Sequence, residues 1–440
     1  MIKIVSNLSI AILCLALIVQ LRLSYLGLYP IRYDLPDLPK LSPDDRFSPS
    51  NGVTFEKLGE NDLLYPESLV VSPEGKYLFI SLGDGRIVRI ATSNHRAWDN
   101  LSWHTIGRTG EDFPGCGLGG PSDDTKMEPK CGRPLGLWMV QRSTVDPNFE
   151  HLPKGEEVED VLLVADAYKG FLMITNIYAS EPQGRAEFHT LATRAKTDPA
   201  NYIFSLLNAI VQAPSGDIYL TETSQTFQRR RIFHAAMDGG ATGRLLRYRR
   251  NSGEGSVEVM ADHMFMPNGI ALSHDKKSLL IVGGVTMQRF DLATERLDSK
   301  PFVEVMPGTG DNIKAMKHLP LGQLKNCYWA GLGGKYAKPF SLLKALSDKP
   351  WLRSLVLAIV PYRKIINLIP KWTALAVYDE DGALVETLRN DGGVDENGDK
   401  QVVDVPWVSE VEPLGDYLYF ASWYNPFLAR IKRDSMIATN

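Results

Sequence analysis

From about Phe55 onward, apolar and polar residues alternate in short runs broken by turn residues. Alternation with a period of two marks strands that bury one face. LVVSPEGKYLFISLGDGRIVRI holds three such runs, joined by Pro73-Glu74-Gly75 and by Gly83-Asp84-Gly85. Asp-Gly between apolar runs is a strong hairpin signal, because glycine accepts the positive φ of the tight turn. The same grammar returns in AIVQAPSGDIYLTET, GIALSHDKKSLLIVGG and SEVEPLGDYLYFASW, and in shorter form in DVLLVADAYKGFLMI and NCYWAGL. Units start near Glu67, Arg133, Asn208, Asn268, Asp311 and Glu410. Six similar units with few helical stretches predict an all-β chain, a six-bladed β-propeller built from four-stranded antiparallel blades. A β-sandwich, or several small β domains, is the competing arrangement.

Two stretches depart from this alternation. Ile4 to Leu21 is nearly continuous apolar sequence, about 18 residues and so at the lower limit for a bilayer span. The following VQLRLSYL lacks a small-x-small cleavage site, which favours an uncleaved signal anchor over a cleaved signal peptide. The second stretch, 337–372, has apolar residues at helical spacing and is divided by Pro350, Pro361 and Pro370 into short helices. It reads as a helical insert between two blades. Its interleaved Lys and Arg fit helices lying on a membrane surface, and a helical cap on the propeller fits equally well. The chain thus divides into a signal-anchor transmembrane segment (1–25), a Pro/Asp/Ser-rich linker (26–54) and the propeller (55–440). The expected topology is single-pass type II, in the plasma membrane or an endomembrane, with the propeller lumenal or extracellular.

Composition narrows the partners. Hydrophobic residues are 44% of the 440 and charged residues 23%, ordinary for a globular core. A formal net charge of −4 argues against a general affinity for nucleic acid. The dense basic run Arg229-Arg230-Arg231 reads as a solvated loop face. Cys116 and Cys131 bracket a Gly/Pro/Asp-rich loop. A disulfide there would need an oxidising compartment, and two unrelated thiols are the alternative, because spacing does not fix pairing. Asn100-Leu101-Ser102 is a glycosylation sequon, Asn100 being the acceptor.

The candidate chemistry sits at the strand starts. Glu67 in YPESLVV, Asn208 in LLNAIVQ, Asn268 in MPNGIAL and Asp311 in TGDNIKA hold similar places in four units. In a propeller the innermost strand of every blade lines the central channel, so these residues converge on the axis. Two carboxylates and two carboxamides, with Asn312 close by, form an all-oxygen donor set. Such a set suits Ca²⁺, which takes six to eight oxygens at about 2.3–2.6 Å, and lacks the thiolates and imidazoles that would favour zinc or copper. Taken singly, each residue is also an ordinary turn or cap residue; their recurrence is what points to a site. Gly115–Gly120 fits GxGxxG in form, but neither follows a strand nor opens a helix. No GxSxG, HExxH or Walker sequence is present.

Several of these stretches resemble the strictosidine synthase-like family of six-bladed propellers: CGRPLGL, DVLLVADAYKGFLMI, NAIVQAPSGDIYLTETSQTFQRRR, GRLLRY, MPNGIALS, GTGDNI and SEVEPLGDYLYFASWYNPFLARI. The resemblance spans nearly the whole chain. It implies a type II membrane glycoprotein with arylesterase-like activity on small aryl esters, and a kinship with paraoxonases and gluconolactonases. In those proteins Glu, Asn, Asn and Asp at strand starts hold a catalytic calcium, which carries over to Glu67, Asn208, Asn268 and Asp311, with Asn312 matching a further paraoxonase ligand. The family's cysteine pair matches Cys116 and Cys131. Three departures stand out. Ala209 occupies the place of an Asp that serves a second, structural calcium. Arg133 falls near the proposed catalytic His. Ser409 stands where strictosidine synthase itself has a Glu, with Glu410 one place away.

Two functions follow as expectations. One is a Ca²⁺-dependent esterase or lactonase for small apolar esters, the metal polarising the carbonyl and Asp311 or Glu67 acting as nucleophile or orienting a water. The other is a non-enzymatic cell-surface glycoprotein, a binding scaffold in which calcium is structural.

Overall fold

The computed structural model describes residues 2–41, 47, 53–91, 102–118, 120, 127–141, 160–179, 185–249, 257–318, 325–392 and 403–433. Six four-stranded antiparallel sheets follow one another along the chain. The first strands of the blades are Leu69–Val71, Pro134–Gln141, Leu207–Gln212, Pro267–Leu272, Gly308–His318 and Glu410–Leu414. Each packs against the first strand of the next blade, and the sixth against the first, which closes the ring. These starts fall at or within three residues of the positions read from the alternation, so the propeller and its phasing are as expected. The ring is latched by Glu56–Leu58, which pairs with Leu428–Lys432 as the outermost strand of the sixth blade.

Burial follows from the alternation. Six principal apolar clusters lie between successive blades, for example Phe79, Ile87, Leu162 and Val164 between the first two. The middle strands of a blade are buried on both faces, so runs such as YLFIS and GFLMIT are almost wholly enclosed. Two glycines permit close approach of neighbouring strand starts. A Cβ on Gly136 would lie 2.4 Å from the Asn208 carbonyl oxygen, and one on Gly269 would lie 2.5 Å from that of Asp311. No side chain fits there, which is the physical reason that glycine follows Asn268.

Helix α1 (Ile2–Leu26) forms over the N-terminal apolar run. Among the described residues, no helix is long and apolar enough to cross a membrane. The chain after α1 lies on the propeller. Leu28 and Phe47 are buried, Tyr29 N donates to Asp238 Oδ1 at 2.6 Å, and Arg353 sits 4.6 Å over the Tyr33 ring. Short helices follow in the blades: α2 (Glu128–Cys131) and α3 (Ile232–Asp238). The helical segment carries α4 (Leu342–Ser347), α5 (Pro350–Ile359) and α6 (Tyr362–Ile365).

That segment does not separate two blades. It joins Lys325–Lys335 to Thr373–Tyr378, the second and third strands of blade five, which pair directly (Trp329 opposite Val377). A hairpin can carry a long excursion at one end without disturbing its register, so the sequence shows only the interruption. Leu346, Leu357, Ile365 and Ile366 are buried, so the segment is a cap on the propeller.

Cys116 and Cys131 are joined by a disulfide, with Cα atoms 5.7 Å apart. It ties the 116–118 turn to the residues that lead into Arg133. Cys116→Ser/Cys131→Ser is expected to lower unfolding free energy by about 3 kcal/mol, as for a closed loop of this size. Denaturant unfolding of the full-length protein measures it. Asn100 lies outside the described residues.

Candidate functional site

Glu67, Asn208, Asn268 and Asp311 line one cavity of about 600 Å³. They come from blades one, three, four and five, and all but Asn268 are more than nine-tenths buried. The strand starts bring them together because each first strand runs along the axis, and the close contacts at Gly136 and Gly269 pull neighbouring starts inward. Asn312 is buried beside them but does not line the cavity; its Nδ2 donates to the Glu67 carbonyl at 3.4 Å. A bulge between Gly310 and Ile313 lets the two consecutive residues take these separate places.

The floor is charged and buried. Asp311 is pushed well above the usual carboxylate range, first by burial and then by the neighbouring charge of Glu67, while a hydrogen bond from Asn268 opposes this. Glu67 is raised by burial and drawn back by Arg133, whose Nη2 lies 3.1 Å from Oε2. Asn208 Nδ2 donates to Thr223 Oγ1 at 2.9 Å, which fixes the carboxamide and frees its oxygen. Asn268 Oδ1 and Asp311 Oδ1 are buried with no hydrogen-bond partner among the described residues. Buried oxygens without donors are costly, by about 1–3 kcal/mol each.

Those two oxygens are the test of whether the residues suit a hard cation. A divalent ion among Glu67, Asn208, Asn268 and Asp311 would satisfy both and reverse the mutual repulsion of the carboxylates. Among the described residues no group of three or more His, Cys, Asp or Glu is placed to hold a metal. The donor set here differs in kind, with two carboxylates and two carboxamides. It suits calcium on chemistry, and Glu67 would share its charge between Arg133 and such an ion.

Three cations shape the floor, and the sequence reading missed their roles. Arg133 is fully buried against Glu67. Arg229 is not solvated as the basic run led one to expect. It is buried, lines the cavity, pairs with Glu128 Oε1 at 3.2 Å and lies 5.7 Å from the Trp423 ring centroid. Its partner Glu128 is 101 residues away in sequence, so no local signal announced the burial. Lys314 Nζ contacts Glu410 Oε1 at 2.6 Å, the Leu69 carbonyl at 2.5 Å and the Glu412 carboxylate. Glu410 also accepts from Leu69 N at 3.2 Å, so it knits blades one, five and six rather than facing the cavity.

Above the floor the walls are apolar: Leu135, Leu206, Phe233 and Phe265 from the blades and Leu342, Leu346 and Val356 from the cap. Trp407 and Trp423, both lining residues, stack with centroids 5.4 Å apart. Met266 (φ 47°) and Trp407 (φ 56°), on the cavity wall, hold left-handed backbone that non-glycine residues rarely adopt. Such strain gathers at functional sites, where the surrounding fold enforces it.

The metal-free protein is expected to lose stability as pH rises. A carboxyl whose folded pKa is raised stabilises the fold below its unfolded pKa, and that contribution disappears as pH climbs through the folded value. Melting scans without calcium should therefore slope downward with pH, and Asp311→Asn should flatten the slope. Added calcium should stabilise most at the higher pH values.

A family model described as Strictosidine synthase matches residues 208–292. The adipocyte plasma membrane-associated protein of Rattus norvegicus is 30% identical over 387 residues, covering 87% of this chain and 86% of its own length. The Arabidopsis thaliana protein Strictosidine synthase-like 2 is 28% identical over 406 residues, covering 89% and 90%. Among solved structures, a gluconolactonase of Xanthomonas campestris is similar with a TM-score of 0.48 at 14% identity, covering 91% of this chain and 96% of its own.

Proposed function

This chain belongs to the strictosidine synthase-like family, and from that premise we propose that it is a membrane-anchored, Ca²⁺-dependent hydrolase of small aryl esters or lactones. The observation that carries this reading is the meeting of four oxygen-bearing side chains from four blades on the floor of one largely apolar cavity, two of their oxygens buried with no donor among the described residues. Calcium bound there would supply charge for an acyl carbonyl oxygen as it becomes an oxyanion.

The protein's own groups divide the remaining work. With a cation beside it Asp311 would be held as the carboxylate, and a lone pair not given to the ion would take a proton from an attacking water. Glu67 is held at Oε2 by Arg133 and so acts in positioning. The carboxamide of Asn208 is oriented by Thr223, and that of Asn268 by Asp311. The stacked Trp407 and Trp423 offer a flat face to an aryl group, and the leucine-lined wall excludes bulk water. Helix α1 would anchor the protein, since Ile12, Leu13, Leu17, Ile18 and Leu21 are all exposed on it.

The test is aryl acetate hydrolysis by the full-length protein in detergent, before and after EDTA and after calcium is restored. Turnover that ignores the chelator would overturn the proposal. The buried Arg133–Glu67 pair favours a second reading, a binding scaffold with a structural ion, because it already neutralises one of the ligands. That reading predicts a calcium-dependent melting temperature with no ester turnover.

A further inference from the structure

The cap on blade five has two apolar sides. Its inner side, including Leu342, Leu343, Leu346, Leu352 and Val356, walls the cavity. Its outer side shows Phe340, Trp351 and Ile359, each more than 60% exposed. Leu368 belongs to both, being a lining residue that is 45% exposed, so the cavity wall and the crest meet there. Helix α1 packs on α5, with Leu23 and Leu28 in one cluster with Leu357. Its exposed Ile12–Leu21 stretch therefore departs from the same region.

Charge identifies what covers the crest. The segment 337–372 carries Lys338, Lys344, Lys349, Arg353, Arg363, Lys364 and Lys371 against the single acid Asp348, in a chain whose net charge is −4. Arg353 is buried on backbone carbonyls, but Lys338, Arg363, Lys364 and Lys371 are exposed. Exposed lysines and arginines around protruding Trp, Phe and Ile are the chemistry of a helix seated among anionic headgroups. A partner protein would not require the apolar N-terminal helix to leave from the same place; a bilayer does.

We propose that this crest docks on an anionic lipid surface and that the cavity draws its substrate from that bilayer: a lipid-like ester whose acyl chain lies along the Leu342–Val356 wall. The docking stands on its own, whereas the substrate class rests on the hydrolase reading above. The step is plain hydrolysis. A water oxygen bonds to the acyl carbon, the acyl C–O bond breaks, and the departing alkoxide takes the proton that the water gave up. A cavity of about 600 Å³ is in the general range for drug-sized ligands and larger than an aryl acetate needs.

The experiment uses full-length protein reconstituted in phosphatidylcholine vesicles with and without phosphatidylserine. Brominated phosphatidylserine should quench a fraction of tryptophan fluorescence that disappears in Trp351→Phe. Trp351→Glu/Ile359→Glu, whose side chains do not line the cavity, should leave p-nitrophenyl acetate turnover unchanged and lower p-nitrophenyl laurate turnover by about tenfold. Absence of Trp351-dependent quenching overturns the docking. Quenching with an unchanged laurate-to-acetate ratio overturns the bilayer-fed substrate. Quenching with no ester turnover at all leaves the docking in place and removes the hydrolase reading instead.

Discussion

Asp311→Asn is expected to lower kcat for aryl acetates by about a hundredfold or more, the usual scale for removing a general base. Asn keeps the shape and one oxygen, so the fold should survive. It loses the charge that a cation needs and the oxygen that accepts a proton. Asn268→Ala should behave differently. It removes a neutral ligand, so calcium affinity should fall while saturating calcium recovers much of the turnover. Titrating calcium against initial rates separates the two. Full activity in Asp311→Asn would sink the assignment of the site, and equal responses of the two variants would sink the division of roles.

The second large effect is expected at Arg133. Arg133 and Glu67 form a buried pair whose side chains are 1% and 7% exposed. Removing one member of such a pair leaves an uncompensated charge, typically at a cost of about 3–5 kcal/mol. Arg133→Met should therefore destabilise the metal-free protein by about that amount in denaturant unfolding. In calcium the loss should shrink, because the ion supplies the charge that Glu67 lacks. An equal loss with and without calcium would mean that Glu67 does not bind it.

Much of the architecture is legible in the chain because strand grammar is local. The apolar alternation of VVSPEGKYLFIS or IALSHDKKSLLIV contains its own turn, and each such unit became one blade hairpin. Strand starts are equally legible, which puts Glu67, Asn208, Asn268 and Asp311 at the heads of inner strands. Asn312 could not be told apart from Asp311. A bulge of one residue decides which of two neighbours faces the cavity, and bulges leave no mark in composition. The three-residue latch Glu56–Leu58 is too short and too polar to show as a strand; only its pairing with Leu428–Lys432 makes it one.

What the sequence by itself determined is the repeating hairpin, the phasing of its six copies and the polar residue at the head of each inner strand, because these depend on neighbours a few positions apart. The tertiary structure decided the electrostatics and the roof. Arg229 meets Glu128, Lys314 meets Glu410 and Glu412, and the cap folds over the floor from within blade five. Those contacts join residues tens to hundreds of positions apart, and ring closure, a property of all six blades at once, sets which of them meet.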